Sequence, residues 1–482
     1  MTFDMDGRRS STAWRDIYFM SSPYRSSRRR TAAALIAVVM AAFISVLGVA
    51  WFQKARAVAD DTYEYLELMN QALAIVQKDY VKEVKVKDLI YGAIDGMLAT
   101  LDPHTVFMSL EDYNEMRQDI SGEFGGLGIE IGVRERRLTI ISPMPDTPAE
   151  RAGLLSGDWI FKIEGEPTGE MRVNDAVHKM RGKPGTKVTI TIMREGFKEP
   201  RDFTITRERI IVKSVRDVKL FGEIGYIRLV SFTDDTETEM KAALKKLTDE
   251  SKGKLKGLVL DLRGNPGGPL DQAVKTADLF LTEGVIVSVK GRIDMPPPSY
   301  ARKAGTFMDV PIVVVINEGS ASASEIVAGA LKDHRRAVIL GKLSFGKGSV
   351  QQLRTLKDGS GLKLTTAYYY TPSGRTIQEL GIVPDVEVNA LSPEAELKAM
   401  EDGTWEERRY LREADLSRHF TNQDVTGDPK IGDGETTGKP STKLSESLLP
   451  PVVGKDIEDY QVQRAIDLLR DPTRFTALLR KK

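Results

Sequence analysis

The chain has 482 residues, with 69 Lys and Arg residues against 69 Asp and Glu residues and no cysteine. This length is too great for one ordinary domain, and two to four domains are expected. The balanced charge gives no indication of a nucleic acid or other polyanionic partner, and the missing cysteine excludes disulfides, thiol catalysis and thiolate zinc sites.

The N-terminus carries the pattern of a membrane anchor. Residues 1–30 are polar and basic and end in Arg28-Arg29-Arg30, whereas residues 31–52 contain no charged side chain. About 20 apolar residues are enough to cross a bilayer, and preceding basic residues predict a cytoplasmic N-terminus. The chain after Gln53 is therefore expected in the periplasm, beyond the inner membrane. Residues 55–59 contain two A-x-A cleavage patterns, but the long apolar stretch favours an uncleaved anchor.

Residues 60–118 are predicted to be helical. Two apolar stripes at helical spacing run over 65–76 and 89–98, and Asp102-Pro103 marks a turn. Stripes of this kind are typical of ordinary core helices, and by themselves they do not indicate a contact between subunits.

Residues 119–208 are predicted to form a separate module. A glycine-dense run from Gly122 to Gly128 leads into an alternating strand, and the specific pattern A-x-x-A-G-L-x-x-G-D-x-I follows at 149–160. Further along, the sequence predicts a helix around 174–181 and strands at 187–193 and 201–207.

The module resembles a PDZ domain. The resemblance implies that the loop Gly126-Leu127-Gly128-Ile129 offers backbone amides to the terminal carboxylate of a peptide, and that the adjoining strand edge accepts the peptide by β-augmentation. The alternative is a PDZ domain that only packs against the core.

Residues 209–390 alternate strands with helices, which predicts an α/β core with parallel strand pairing. A buried strand at 258–262 leads into a turn at 263–268 that is rich in glycine. Loops at the carboxyl ends of parallel strands are where ligands bind. Asp261 and Arg263 could be catalytic residues, but a structural ion pair that holds this turn is the favoured interpretation.

A cluster of serines follows a later buried strand at 311–316. Residues 318–324 form a turn of small residues, and residues 325–332 have helical spacing. A serine at a helix N-terminus lies beside free N–H groups, which stabilise an oxyanion during acyl transfer. Such turns are also common helix caps, so a structural role stays open.

A serine nucleophile needs a base. The chain has four histidines, and none is well placed in the sequence: His104, His178, His334 and His419. A lysine whose pKa is lowered by burial is the alternative. Lys347 lies in a glycine-punctuated loop, and Gln351 would share its face on an extended strand and could orient the amine. Most lysines in such loops are solvated, so this pattern alone leaves the base open.

Three motifs together resemble the carboxyl-terminal processing peptidases, the S41 serine peptidases. They are Asp261-Leu-Arg-Gly-Asn-Pro-Gly-Gly268, Gly319-Ser-Ala-Ser-Ala-Ser-Glu325 and Gly341-Lys-Leu-Ser-Phe-Gly-Lys-Gly348, and the resemblance covers roughly residues 63–388. It implies an α/β, crotonase-like (ClpP/crotonase-type) peptidase core with an inserted PDZ domain. Matched by motif, Ser322 is the nucleophile, Lys347 the general base and Gln351 the supporting glutamine.

The same resemblance implies that the oxyanion donors are backbone amides. They map to Ala323 and to the turn of Gly267 and Gly268, with Gly268 favoured. Ser320 and Ser324 are expected to be cap or packing residues. No metal or cofactor is implied. The N-terminal helical region often joins subunits in this family, so a homodimer or higher oligomer is a hypothesis.

Residues 391–482 are less informative. A charged helix is predicted over 394–418, a disordered linker over about 422–446 and an amphipathic helix over 456–479. The last helix could dock on the body of the molecule or on a partner subunit, and the sequence does not choose between them.

We therefore expect a membrane-anchored periplasmic serine endopeptidase that uses a Ser322–Lys347 dyad and captures protein or peptide substrates by their exposed C-termini. One alternative is an inactive PDZ scaffold or adaptor on a peptidase fold. Another is a crotonase-like acyl-transfer enzyme, which the PDZ module and the export signal argue against. The substrate, any adaptor or activator, and gating by the PDZ module are left open.

Overall fold

The computed structural model describes Met40 and residues 62–293, 295–303, 307, 310–403, 411–422, 449–450 and 457–480. The predicted anchor, apart from Met40, lies outside these residues, as do the A-x-A patterns and the predicted linker after Asn422. Among the helices of the described part, none is both long and apolar enough to cross a bilayer. The chain divides into two compact units, 1–92 and 93–482.

The first unit contributes a helix, α1, over residues 62–79, and α2 (Val86–Leu98) spans the boundary between the units. The apolar side chains of α1 are largely exposed, with Tyr65 at 71%, Leu68 at 61% and Ile75 at 60% of full accessibility.

The predicted helical stretch is interrupted in the second unit. A short strand, β1 (Val106–Met108), precedes α3 (Leu110–Ser121). Ser109 caps α3, because its hydroxyl accepts the Asp112 amide at 3.1 Å. This reciprocal capping box fixes the start of α3 and ends the strand.

The module after α3 is a small antiparallel sheet with two helices. Its sheet has the order β3-β4-β5-β7-β8, with β6 paired to β5, while β2 and β9 form a separate ribbon. The elements are β2 (Glu123–Gly126), β3 (Ile129–Arg134), β4 (Arg137–Pro143), α4 (Pro148–Arg151), β5 (Trp159–Ile163), β6 (Glu166–Pro167), α5 (Val173–Met180), β7 (Lys187–Met193), β8 (Arg201–Thr206) and β9 (Glu208–Ile211). The predicted helix and the two later strands are confirmed to within a residue. Strand β3 is an edge strand, and α5 contacts it.

The core sheet has six strands in the order β10-β11-β12-β15-β16-β19. All neighbouring pairs from β11 onwards are parallel, and only β10 is antiparallel to its neighbour. The strands are β10 (Val215–Phe221), β11 (Ile224–Leu229), β12 (Gly257–Asp261), β15 (Ile312–Ile316), β16 (Ala337–Gly341) and β19 (Val386–Glu387). The predicted parallel α/β core is confirmed.

Helices cover both faces of this sheet. On one face lie α6 (Thr236–Glu250), α7 (Leu270–Asp278) and α8 (Ala323–Asp333), which share a buried core with alternate strand residues such as Leu260 and Val314. The residues between them, including Val259 and Val313, face the opposite side, where two C-terminal helices pack. Fully buried strands of this kind read as continuous apolar runs, which is why the sequence predicts them well.

The C-terminal amphipathic segment docks on the body of the molecule. It forms two helices rather than one, α10 (Tyr460–Arg470) and α11 (Pro472–Arg480). The prediction of a single helix is wrong, because Pro472 has no N–H to continue α10 and instead suits the first turn of α11. The preceding charged helix is also shorter than predicted: α9 (Pro393–Glu401) is helical, but residues 411–418 contain a 3₁₀ turn (Glu413–Asp415) and no α-helix.

A second sheet of five strands lies in the same unit. It has the order β1-β18-β13-β14, with β17 paired to β18, and comprises β13 (Val285–Gly291), β14 (Ser299–Tyr300), β17 (Ser349–Thr355) and β18 (Gly361–Tyr370) besides β1. The β17–β18 hairpin follows directly on the loop that contains Lys347, so it connects that loop to the second sheet.

Candidate active site

Ser322 lies on the turn between β15 and α8, as the sequence predicts. Its backbone has φ +54° and ψ −111°, a conformation that non-glycine residues rarely adopt. Its neighbours Ala321 and Ala323 are buried, whereas Ser322 itself is half-buried. A strained serine on a strand-to-helix turn presents its hydroxyl beside the helix N-terminus, which is the geometry that suits a nucleophile.

The flanking serines hold the turn in place. The Ser320 hydroxyl donates to the Leu262 carbonyl at 2.8 Å, and the Ser324 hydroxyl donates to the Asn265 carbonyl at 2.9 Å. Both serines are fully buried. Their predicted role as packing and cap residues is confirmed, because they tie the serine turn to the glycine-rich turn after β12.

Glu325 connects the serine turn to the lysine loop. One carboxylate oxygen accepts the Ser322 amide at 2.8 Å and the Lys347 amide at 3.0 Å. The other accepts the Ser344 hydroxyl at 2.5 Å and the Gly346 amide at 2.8 Å. Burial raises the pKa of this carboxyl to about 7, although these hydrogen bonds oppose the shift. The motif analysis missed this role, for which the Ser-x-x-Glu capping spacing was the available signal.

Lys347 lies in the loop between β16 and β17. Burial, first, and the positive charge of Lys363, second, lower the pKa of its amine to about 8, against the opposing effect of the carboxylates of Glu413, Glu325 and Asp102. A substantial share of the amine is therefore neutral in mildly alkaline solution, which is the form that can accept a proton.

Glycines allow the loop that contains Lys347 to lie close to the turn of Gln378 and Glu379. A Cβ on Gly348 would come within 2.4 Å of the Gln378 amide nitrogen, and one on Gly346 within 2.9 Å of the Glu379 carbonyl oxygen. The Gly348 amide donates to the Gln378 side chain at 2.9 Å. The loop is thus held by close contacts on the side opposite Glu325.

Gln351 is not on a continuous strand face with Lys347. Lys347 precedes β17, and the β17–β18 register shifts between Val350 and Gln351. The Gln351 amide group donates to the Ser349 hydroxyl at 2.9 Å and to the Thr365 hydroxyl at 3.2 Å. The same-face argument therefore does not hold, and the role of Gln351 beside the lysine stays a prediction.

The glycine-rich turn approaches the serine turn at Gly267. A Cβ on Gly267 would lie 2.9 Å from both the Ala323 amide nitrogen and the Ser322 Cβ. The Gly267 amide already donates to the Asn265 side chain at 2.9 Å. Within the described part of the chain, no such partner is found for the amides of Ala323 and Gly268, which favours this pair as the donors.

The turn rests on a buried ion pair. The Arg263 guanidinium donates to both oxygens of the fully buried Asp261, at 2.9 and 2.6 Å, and to Asp459 at 2.7 Å. Tyr226 adds a hydrogen bond to Asp261 at 2.9 Å. The predicted ion pair is confirmed, and the C-terminal partner Asp459 was not foreseen.

Tyr369 is a further residue that sequence reasoning missed. Burial raises the pKa of its hydroxyl to about 12, and an interaction with the Ser322 side chain opposes the rise. Its amide donates to the Gly348 carbonyl at 2.7 Å. Tyr369 therefore contacts the predicted nucleophile with its side chain and the lysine loop with its backbone.

The PDZ-like module has its edge strand β3 beside α5. The loop before β3 is held by its carbonyls, since Leu127 accepts the Ala149 amide at 2.9 Å and Gly128 accepts the Met144 amide at 2.8 Å. In the described residues, the amides of Leu127 and Gly128 have no backbone partner. Gly126 lies in β2 and Ile129 begins the edge strand β3. Free amides beside a strand edge are what a peptide C-terminus requires.

Comparisons with known proteins agree with these features. The family model for peptidase family S41 matches residues 223–388, a PDZ domain model matches 139–194, and the model of the activating protease CtpB N-terminal domain matches 42–112. The first two matches lie inside the predicted core and the predicted PDZ module.

Relatives match over most of the chain. A carboxy-terminal-processing protease of Bartonella bacilliformis is 48% identical over 336 residues, which cover 69% of this chain and 77% of that protein. A probable CtpA-like serine protease of Staphylococcus aureus is 38% identical over 359 residues, covering 74% and 70%. Among solved structures, the photosystem II D1 C-terminal processing protease is 30% identical, covers 67% of this chain and 92% of that chain, and has a TM-score of 0.42.

Proposed function

Because this chain belongs to peptidase family S41, as one of its carboxy-terminal-processing proteases, we propose that it is a serine endopeptidase with Ser322 as nucleophile and Lys347 as general base. The observation that carries the proposal is the shared Glu325 oxygen, which binds the amides of both residues. A nucleophile and its base must be held in register, and one buried carboxylate does this for the two loops.

The proposed reaction uses each of these groups in turn. The neutral amine of Lys347 takes the proton from the Ser322 hydroxyl as its oxygen attacks the scissile carbonyl. The amides of Ala323 and Gly268 donate to the oxyanion that forms. The lysine then gives its proton to the leaving amine, and the peptide bond breaks. A water molecule next attacks the acyl-enzyme and passes a proton to Lys347, and the Ser322 oxygen leaves and recovers a proton.

We propose that the PDZ module delivers substrates by their C-termini. The support is that the loop amides of Leu127 and Gly128, for which no backbone partner is found among the described residues, directly precede the edge strand β3. A terminal carboxylate would accept from the loop, and the residues before it would add a strand to β3. Proteins with unfolded or exposed tails are the substrate class that fits this mode of capture.

Digestion of an unstructured protein with an apolar C-terminus tests the activity. The fragment from Ala59 onward is compared with its Ser322→Ala and Lys347→Ala variants. Cleavage that is lost in both variants supports the dyad, and cleavage by purified Ser322→Ala contradicts it. Absence of cleavage by the unmodified fragment, together with binding of the tail, favours the alternative function, an inactive PDZ scaffold on a peptidase fold.

We also propose that residues 31–52 anchor the chain in the inner membrane and that the catalytic part lies in the periplasm. The support is the uncharged stretch behind a basic N-terminus. Protease added to spheroplasts would digest the catalytic part if it lies outside the membrane, whereas full protection would contradict this location.

Self-association through the N-terminal helices is the remaining proposal. The exposed apolar side chains of α1, such as Tyr65, Leu68 and Ile75, support it, since apolar side chains grouped on one segment favour burial in an interface. A monomer mass for the fragment from Ala59 onward would refute it.

A further inference from the structure

A buried carboxylate of the C-terminal region lies beside the lysine loop. Residues 411–422, here called the C-terminal strap, contain the 3₁₀ turn that begins at Glu413. The Glu413 side chain is fully buried, and its two oxygens lie 3.0 and 2.9 Å from His104 Nε2. The Gln378 side chain donates to it at 2.8 Å. A buried carboxylate is costly unless its oxygens are bonded, so this arrangement requires both His104 and Gln378 as partners.

The strap binds the lysine loop directly. The Glu413 amide donates to the Phe345 carbonyl at 3.1 Å, and the Arg412 guanidinium donates to the Ser344 carbonyl at 3.2 Å. Gln378, which donates to Glu413, also accepts the Gly348 amide at 2.9 Å. Glu413 therefore reaches the loop on both sides of Lys347, once through its own backbone and once through Gln378.

The far end of the strap is fixed as well. The Asn422 amide and the His419 ring bond the Glu379 carboxylate at 2.8 and 3.0 Å. The Phe420 ring packs edge-on against Tyr368 with centroids 5.3 Å apart, and its carbonyl accepts from Gln378 at 3.0 Å. The C-terminal strap therefore binds, at both of its ends, the turn of Gln378 and Glu379, which in turn contacts the lysine loop.

We propose that Glu413 is a positioning residue for Lys347, through which the C-terminal strap completes the active site. This inference rests on the proposed role of Lys347 as the base. Four charged groups act on its amine: Lys363 on β18, Glu413 on the strap, Glu325 on α8 and Asp102 before β1. Glu413 is the one that the C-terminal region supplies, and it both holds the loop and attracts the ammonium form.

The test is a pH–rate profile of Glu413→Gln, which removes the charge and keeps the shape. We expect the plateau rate at alkaline pH to fall about 10- to 100-fold, because a small displacement of a catalytic group costs that much. We also expect the rising limb of the profile to move to lower pH. The Glu413 carboxylate stabilises the ammonium form of Lys347, so its loss lowers the pKa of Lys347. Glu401→Gln, the same change at an exposed position on α9, should leave both unchanged.

If Glu413 only stabilised the fold, Glu413→Gln would lower the melting temperature and leave the rising limb of the pH–rate profile at the wild-type pH. A limb at the wild-type pH, or a plateau within twofold of wild type, overturns the proposal. If Glu413→Gln does not fold, Glu413→Asp keeps the charge and shortens the side chain. It should then show an unmoved limb with a reduced plateau, and an unreduced plateau would overturn the proposal.

Lys347→Ala in the same assay tests the role of Lys347 as base separately from the role of Glu413 as positioning residue. Activity retained by Lys347→Ala defeats the proposed base itself. An inactive Lys347→Ala beside a Glu413→Gln that behaves as wild type defeats the positioning role alone.

Discussion

The carboxylate of Glu325 accepts the backbone amide of Lys347 at 3.0 Å. The same oxygen accepts the amide of Ser322 at 2.8 Å, so the serine turn and the lysine loop cannot move independently without breaking a buried hydrogen bond. Since the Glu325 side chain is fully buried, water does not replace a hydrogen-bond donor that it loses.

Glu325→Gln should lower both stability and activity. The amide can accept through one oxygen only, so at least one of four donors is left unsatisfied, at a cost of about 1–3 kcal/mol. We expect a lower free energy of unfolding in urea and a slower digestion rate. Glu318→Gln, the same change on the preceding part of the turn, is the control. Unchanged rates in Glu325→Gln would show that the shared carboxylate does not hold the two loops in register.

The rate of peptide cleavage should rise with pH through about 8. The pKa of Lys347 is lowered to about 8 chiefly by burial, and only the neutral amine, which predominates above that pH, accepts the serine proton. Lys347→Ala should lose about 10²- to 10⁴-fold in rate. Lys347→Arg should also be inactive at every pH tested, because a guanidinium stays protonated. A rate that is flat between pH 6 and pH 10 would exclude the lysine as base.

Lys363→Met should move the rising limb to higher pH. The positive charge of Lys363 disfavours a second charge on Lys347, so its removal raises the pKa of Lys347 and a higher pH is needed to deprotonate it. Lys357→Met, at an exposed position on the same hairpin, should leave the limb in place. A shift in the opposite direction would mean that the two lysines do not interact as described.

Patterns within one segment predicted the fold, and contacts between distant segments could not be predicted. The apolar runs at 258–262 and 311–316 predicted two core strands, because a strand that is buried on both faces is apolar throughout. The pairing of His104 with Glu413 spans 309 residues and leaves no local signal. The predicted charged helix over 394–418 failed at the strap for the same reason, since the burial of Glu413 overrides helix propensity.

In the candidate site, too, local motifs predicted some residues, and other residues could be found only from the folded structure. Ser322 and Lys347 stand in local motifs, so a sequence match finds them. Tyr369 lies in an aromatic strand that looks like ordinary core, and only the folded arrangement places its side chain on Ser322. Gln351 was matched by motif, but Lys347 precedes β17, which removes the simple argument that the two residues share a strand face.

Tyr369→Phe should reduce the rate of cleavage by about 2- to 10-fold. The phenylalanine ring keeps the packing but removes the hydroxyl that interacts with Ser322, and a hydrogen bond between two such groups contributes about 0.5–1.5 kcal/mol. The loss should fall on kcat, with KM unchanged, because the hydroxyl contacts the nucleophile. Tyr300→Phe, at an exposed position in the same sheet, is the control. A rate equal to that of wild type would mean that this hydrogen bond does not orient the serine.

Capture of substrates by the PDZ module should depend on a free terminal carboxylate. The amides of Leu127 and Gly128 are the groups that would bind it, and hydrogen bonds to a charged group contribute about 1.5–3 kcal/mol. The inactive Ser322→Ala chain should therefore bind an apolar peptide about 10- to 100-fold more tightly with a free C-terminus than with an amidated one. Titration of both peptides, followed by fluorescence anisotropy, measures the ratio. Equal affinities would place recognition in the strand edge alone, because β-augmentation along β3 uses only main-chain groups that both peptides share.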